Sequence, residues 1–548
     1  MNPSPRHSPF PVFHFNPGLI GPVLSGLGLV LGLIQLTMLW GTEIPLGVPK
    51  EWTWARSGTG LVDLWNLWPA LLMGVLLFLF VQKVGKRCEQ ASSRRVGCWL
   101  LVLWLGGILW SLSVVASIPG VAGLGRVPFV LFYTRSSGYF TQARDEARPL
   151  DRFLSTYRER IADSRVPENY LHLGTHPPGL TTAFVGIMRL CEASPGLCNL
   201  LLATRPNSVR EGFEVISTLT AGDTHPLRPS DAAAIWLAAL LVIAAAAGTS
   251  VPLYLLARRT VSRTAAWWGA AFWLLVPAVM VFFPKSDVLF PCAAMWIQWL
   301  WLKGVDRHSF RWGAAAGVLI FLATCLTLAF APIGLMLFLQ GLLVMPRQSA
   351  PGHAPTGTAL LNRARVYGGG ATAFGASLLA ARLLGGINLL DVWLQNLTNH
   401  AAFYQHATRS YLLWLLENPI ELGFSLGLPL ACLSGLGAVL LLGDFCRNET
   451  TASLPARLIR FRGHLDLLIP MGVWGILWLS GKNMGEAARL WVFLMPYGVW
   501  LATPAIQRLW ENHAQRHWLT GMFLIQMGVC LGTVLQIDGF QFAELMAP

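Results

Sequence analysis

The chain has 548 residues, 54% of them hydrophobic and only 12% charged, a balance that excludes a soluble globular enzyme and places most of the chain in lipid. Its 40 Lys and Arg against 27 Asp and Glu leave a net charge of +13. Such a surplus marks either a nucleic-acid partner or the cytoplasmic loops of a membrane protein, so the placement of the basic residues decides.

Crossing the hydrocarbon takes about 20 apolar residues in a helix, because every backbone polar group must find its partner inside the segment. About thirteen such runs are read in chain order: 18–40, 66–82, 98–118, 232–256, 265–283, 287–303, 312–330, 332–346, 366–386, 419–443, 465–480, 490–506 and 517–535. The first is too long for the apolar stretch of a signal peptide, has no clear basic region before it and no A-x-A-like site after it, and is read as a retained helix. The expected class is an all-α polytopic membrane protein in three parts. Residues 1–118 form an N-terminal three-helix membrane segment, 119–231 a large extracytoplasmic loop with juxtamembrane helices, and 232–548 a C-terminal transmembrane bundle.

With the N-terminus inside, the short inner segments hold 21 Lys and Arg and the short outer ones 6. That asymmetry predicts a multi-pass protein of the inner (cytoplasmic) membrane with a cytoplasmic N-terminus and an extracytoplasmic C-terminus. The basic surplus is then topological, and nucleic acid is not expected as a partner; membrane lipid is. In the outer loop 119–231, acids interleave with arginines as in solvated amphipathic helices. Its Cys191 and Cys198 form either a small disulfide or two free thiols under a short helix. No Walker-type phosphate loop, HExxH or paired CxxC is present, which argues against ATP-driven transport and zinc-ribbon chemistry.

Arg382 is read as the main ionisable residue inside a span, whereas polar residues gather on the outer rim, at 133–179, 285–287, 391–411 and 482–489. The sharpest local signal is Gly174-Thr175-His176-Pro177-Pro178-Gly179, ahead of an apolar stretch. The prolines fix a turn and then permit a helix, which holds His176 at that helix's mouth, where an anion or phosphate is favoured. The same residues also suit a simple capped turn. Since 232–256 must run inward, the helix after Gly179 is expected to be juxtamembrane or re-entrant rather than spanning. Asp287 and Lys285 share the outer turn Pro284-Lys285-Ser286-Asp287, and Glu486 and Arg489 lie one turn apart in GKNMGEAARLW, where the guanidinium is a candidate phosphate clamp or half of an i,i+3 ion pair. Loop 387–418, with Asn396, Asn399, His400, Tyr404, His406 and Tyr411, suits either a sugar-contacting surface or an interfacial aromatic belt.

At these residues the sequence resembles the GT-C superfamily of polytopic membrane glycosyltransferases, in particular bacterial proteins similar to protein O-mannosyltransferases and lipid A aminoarabinose transferases. The resemblance rests on many helices, a large outer loop ahead of Thr175-His176-Pro177-Pro178-Gly179, a helix ending in the basic turn Ala257-Arg258-Arg259-Thr260, and the further outer Asp287. It implies a polyprenyl-phosphate-linked sugar donor entering from the membrane, a protein, lipid or glycan acceptor reaching the outer face, and a first-loop carboxylate at the reacting centre. In that family the loop follows one helix and opens with an acidic pair; here three helices come first, the stretch reads Ser136-Ser137-Gly138-Tyr139-Phe140, and Asp145-Glu146 follow several residues on. The roles implied are Asp145 or Glu146 as base, Asp287 as second acid or metal ligand, and Tyr139, His172, His176, Lys285, Glu486 and Arg489 as substrate contacts. No cofactor is certain; a divalent metal ion, Mg or Mn, is left open because the carboxylates show no dedicated ligand spacing. The rival readings are a transporter or flippase of lipid-linked sugars and a catalytically inactive membrane scaffold.

Overall fold

The computed structural model describes residues 20–163, 173–222, 224–347, 357–406, 408–446 and 464–540. They are helical almost throughout, with two short antiparallel strand pairs. Seven helices are long and apolar enough to cross a membrane: Gly21–Gly41, Asp63–Gly85, Ser93–Ala116, Pro229–Ala257, Arg263–Val281, Ser286–Arg307 and His513–Gln536. Three helix pairs qualify only together: Gly179–Ala193 with Pro195–Ala203 bent by 102°, Leu361–Gly385 with Leu389–Phe403 bent by 97°, and Tyr411–Leu426 with Leu428–Gly443 bent by 110°. The described residues therefore hold seven to ten candidate spans, and the helical membrane class stands on this coarser count. Runs expected at 312–330, 332–346 and 465–480 are the helices Phe310–Leu326, Leu328–Leu343 and Leu465–Leu479, of 10–17 residues each. The run at 490–506 divides into Ala487–Leu490, a turn, and Met495–Glu511.

Helix starts follow their side chains. Ser92 accepts from the Arg95 amide at 3.4 Å and Ser262 from the Ala265 amide at 3.3 Å, while the Asp231 carboxylate accepts from the Arg228 amide at 3.0 Å with Pro229 at the first helical position. Burial is inverted on the peripheral helices, as expected of a chain solvated by lipid. Along Asp63–Gly85, Leu71, Leu72, Val75, Leu76 and Leu79 are exposed while the small Ala70 and Gly74 face the protein. The helix Arg263–Val281 is the opposite case, enclosed along its whole apolar window.

The run expected as one span at 419–443 is broken at Gly427, whose φ is +88°. A side chain there would collide with the Gln526 amide, since a Cβ would sit 2.3 Å from its nitrogen. The break frees backbone groups that lipid cannot satisfy. Two buried glutamines from the first and last candidate spans satisfy them. Gln35 donates to Phe424 O at 2.9 Å and accepts from Leu428 N at 2.8 Å; Gln526 donates to Leu426 O at 2.9 Å and accepts from Leu430 N at 3.2 Å.

The helix Pro229–Ala257 has 29 residues, a rise of about 44 Å, and separates two chemically different ends. At one end Arg259 binds Asp466 at 2.6 Å and also pairs with Asp306, in a nearly buried cluster joined by Arg347. Gln340 extends it inward by donating to Asp466 O at 2.8 Å. At the other end lie the loops that follow the first span, the turn Phe282–Asp287 and residues 482–490. Two strand pairs organise that end: Gly47–Val48 with Trp52–Thr53, and Ala55–Arg56 with Ile537–Asp538, the second joining the first loop to the end of the last span. The described residues between Ser117 and Arg228 form short helices at that end. In Asn207–Leu219 the buried Val209, Gly212, Phe213 and Ile216 repeat at i, i+3, i+4 and i+7, an amphipathic pattern. Cys191 and Cys198 are buried free thiols.

Candidate functional site

A cavity of about 430 Å³ opens at the second end of the bundle. Its walls come from six stretches far apart in sequence: residues 52–55, 135–136, 175–176, Phe282 with Lys285, His400 and Phe403 with Arg409, and 484–490, closed by 537–540. The convergence expected of the polar rim is therefore real for His176, Lys285, Glu486 and Arg489, which all line it.

The His176 turn is held from behind. Tyr157 donates its hydroxyl to Leu173 O at 3.1 Å and His176 O at 3.0 Å; Asn396 donates to Gly174 O at 2.8 Å and His176 O at 3.1 Å; Asn399 donates to Gly174 O at 2.9 Å. Asn396 and Asn399 thus spend their amides on the turn's carbonyls, a use the sequence reading of loop 387–418 did not include. Tyr411 likewise donates to Leu479 O at 2.7 Å, while His400 lines the cavity. The helix beginning at Gly179 is half of a pair bent by 102°, in keeping with the expected juxtamembrane or re-entrant course. Tyr139 is buried behind His176, the two rings edge to face at 6.1 Å. Burial, with the Asp287 charge beside it, pushes the Tyr139 hydroxyl well above the usual phenol value. His172 and the side chains of Tyr404 and His406 lie outside the described residues.

Lys285 is 5% exposed. Burial, reinforced by the nearby Arg489 cation, lowers its ammonium to about 7, against the opposing pull of Asp287 and Glu486. Arg489 and Glu486 form an ion pair, so the i,i+3 alternative holds in the structure, yet the Arg489 Nε is buried with no hydrogen-bond partner among the described residues. The segment that carries them is sharply turned: Gly481, Asn483, Gly485 and Glu486 all have positive φ. For the two non-glycine residues that conformation costs about 1 kcal/mol or more each. It is pinned by a residue that the sequence reading missed. Glu421 accepts from Ala487 N at 3.2 Å, Ala488 N at 3.0 Å and Trp54 Nε1 at 3.1 Å, and so fixes the first turn carrying Arg489 and one aromatic wall of the cavity at once. Glu421 lies inside the run read as 419–443, so Arg382, which is exposed, is not the main ionisable residue within an apolar run. The missed signal was a lone acid in an otherwise apolar segment. Glu51 was missed as well; it accepts from Ser410 N at 2.9 Å and Trp414 Nε1 at 2.7 Å and ties the first loop to the helix beginning at Tyr411.

Asp145 and Glu146 do not line the cavity. Asp145 takes a two-pronged grip from Arg144 at 2.7 and 3.1 Å and has His225 at 3.8 Å; Glu146 pairs with Arg160 at 3.1 Å. Asp287, partly exposed, is not in the lining but acts electrostatically on Tyr139 and Lys285. The carboxylates in the lining are Glu486 and Asp538. Among the described residues no group of three or more His, Cys, Asp or Glu is arranged to hold a metal ion. In the lining, Glu486 is committed to Arg489. No protein-family model and no curated protein matches this sequence.

Proposed function

We propose that the protein is an integral membrane glycosyltransferase that moves a sugar from a polyprenyl-phosphate donor to an acceptor hydroxyl at the extracytoplasmic face, with inversion at the anomeric carbon. The observation that carries this reading is the meeting of Lys285, Arg489 and His176 in one cavity that Trp52 and Trp54 also line. Two cations at a bundle end suit the phosphate of a lipid-linked donor, Arg489 offering its unpartnered Nε. Indole faces suit the apolar side of a sugar ring. The acceptor oxygen attacks the anomeric carbon, the carbon–oxygen bond to phosphate breaks, and the electron pair leaves on the polyprenyl phosphate, where the two cations stabilise it. The end bearing Arg259 and its basic neighbours would face the cytoplasm.

A transporter reading draws on the helix broken at Gly427, the kind of discontinuity that often exposes backbone to a cargo. Here Gln35 and Gln526 already bind the backbone groups beside the break, which weakens that reading. The test is transfer by purified protein in lipid, offered radiolabelled polyprenyl-phosphate sugars and a membrane extract as acceptor source. Labelled product from wild type, lost in Lys285→Ala and Arg489→Ala, is the expected result; no turnover with any donor by well-folded protein refutes the proposal.

A further inference from the structure

We infer that Asp538, at the end of the last span, is the general base that takes the proton from the acceptor hydroxyl in this cavity, with the buried Arg126 cation nearby supporting its charged form. The inference rests on the transferase reading and assigns a role that the reading itself leaves open. Transfer to a hydroxyl releases one proton, and the base must stand in the cavity where the acceptor oxygen stands. Of the two carboxylates in the lining, Glu486 is ion-paired with the cation proposed to hold the phosphate. Asp145 and Glu146 are engaged by arginines outside the lining, and Asp287 is not among the lining residues. Asp538 remains.

Its placement is built rather than incidental. Ala55 and Asp538 are directly paired across the strand ladder, which presents both side chains on one face, and both line the cavity. The Asp538 Oδ1 accepts from Phe540 N at 3.0 Å, and among the described residues the carboxylate makes no ion pair. Gly539 lets the chain close against the bundle: a Cβ there would stand 2.4 Å from Val281 O. Beneath this segment lies Arg126, fully buried, its guanidinium 5.6 Å from the Phe540 ring centroid and donating to Met280 O. It also donates to Ala122 O at 3.3 Å, its Nε has no partner among the described residues, and it acts on the Asp538 carboxylate through its charge rather than through a hydrogen bond. Burial raises the Asp538 carboxyl above its ordinary value while Arg126 and the Phe540 amide pull it back, a setting suited to a base that must both accept and release a proton. In the step, the acceptor O–H proton passes to the Asp538 carboxylate as the new glycosidic bond forms and the bond to phosphate breaks; the proton then leaves to water, and polyprenyl phosphate departs.

The experiment compares Asp538→Asn, Asp538→Glu, Lys285→Ala and wild type for transfer rate and for retention of radiolabelled donor. Asp538→Asn should lose about 100-fold or more in rate at saturating donor while still retaining donor, and Asp538→Glu should recover at least tenfold of that loss. Lys285→Ala should instead lose donor retention. Transfer by Asp538→Asn within threefold of wild type overturns the assignment, as does loss through Asp145→Asn or Glu146→Gln with Asp538→Asn active. If Asp538→Asn fails to fold, the Asp538→Glu rate decides: a rate no better than background overturns the assignment. Donor transfer lost in Lys285→Ala but kept in Asp538→Asn defeats the base alone, whereas no transfer by wild type from any donor defeats the transferase reading and this inference with it.

Discussion

Replacing Glu421 by Ala should release the segment that presents Arg489 without unfolding the bundle. The carboxylate accepts three hydrogen bonds, from Ala487 N, Ala488 N and Trp54 Nε1, and Glu421 itself is only 5% exposed. A buried donor left without its acceptor costs roughly 1 to 3 kcal/mol. Two of the three donors are adjacent amides of one short turn, so the opening free energy of that turn should fall by about 3 kcal/mol, roughly a hundredfold in exchange protection. Hydrogen exchange on detergent-solubilised protein reads this directly: the Ala487 and Ala488 amides should lose protection while amides within His513–Gln536 keep theirs. Glu421→Gln retains one acceptor oxygen and should fall between wild type and Ala. Unchanged protection at Ala487 and Ala488 in Glu421→Ala would refute the claim that this side chain holds the turn.

Because burial lowers the Lys285 ammonium to about 7, the charge is present below that pH and is lost as pH rises through it. Binding an anion above pH 7 must then take up a proton, so donor affinity should fall by up to about tenfold per pH unit there, while Lys285→Arg, charged throughout, should flatten the slope; an equal slope in both proteins contradicts the role. Asn396→Ala removes one of the two side-chain donors to each of Gly174 O and His176 O, Asn399 and Tyr157 remaining, and should weaken donor retention more than maximal rate, with a stability loss of about 1 kcal/mol; wild-type retention in this variant would show that the remaining donors suffice to hold the turn. At the far end, Asp466→Ala leaves Arg259 nearly buried with Asp306 alone and should cost about 3 kcal/mol in a reversible unfolding series; a loss below 1 kcal/mol would mean that water replaces the lost partner.

The helices and the meeting place of the rim were legible because each rests on local signals. Apolar length gave seven spans their positions, and the Pro177-Pro178 turn marked the entry to a helix at Gly179. The break at Gly427 was not legible, since glycine is common inside membrane helices and its partners, Gln35 and Gln526, lie about 400 and 100 residues away. For the same reason the site was read in part. His176, Lys285, Glu486 and Arg489 sit in conspicuous polar turns, whereas Asp538 gains its place through a strand partner at Ala55 and Glu421 through amides at 487 and 488. Asp145 and Glu146 form an adjacent acidic pair, but adjacency carries no information about the arginines that engage them.

The ladder joining Ala55–Arg56 to Ile537–Asp538 sets a schedule for biogenesis. Gln536, which donates to Thr59 O, follows it by 477 residues, an interval of roughly half a minute to a minute and a half at cellular synthesis rates of about 5 to 20 residues per second. Throughout that time the cavity would lack Asp538, the carboxylate assigned as its base. The nascent chain would insert helix after helix into a membrane that contains reactive lipid-linked sugars and still be unable to act on them. Competence would arrive only with the final strand, so that insertion is completed before chemistry begins.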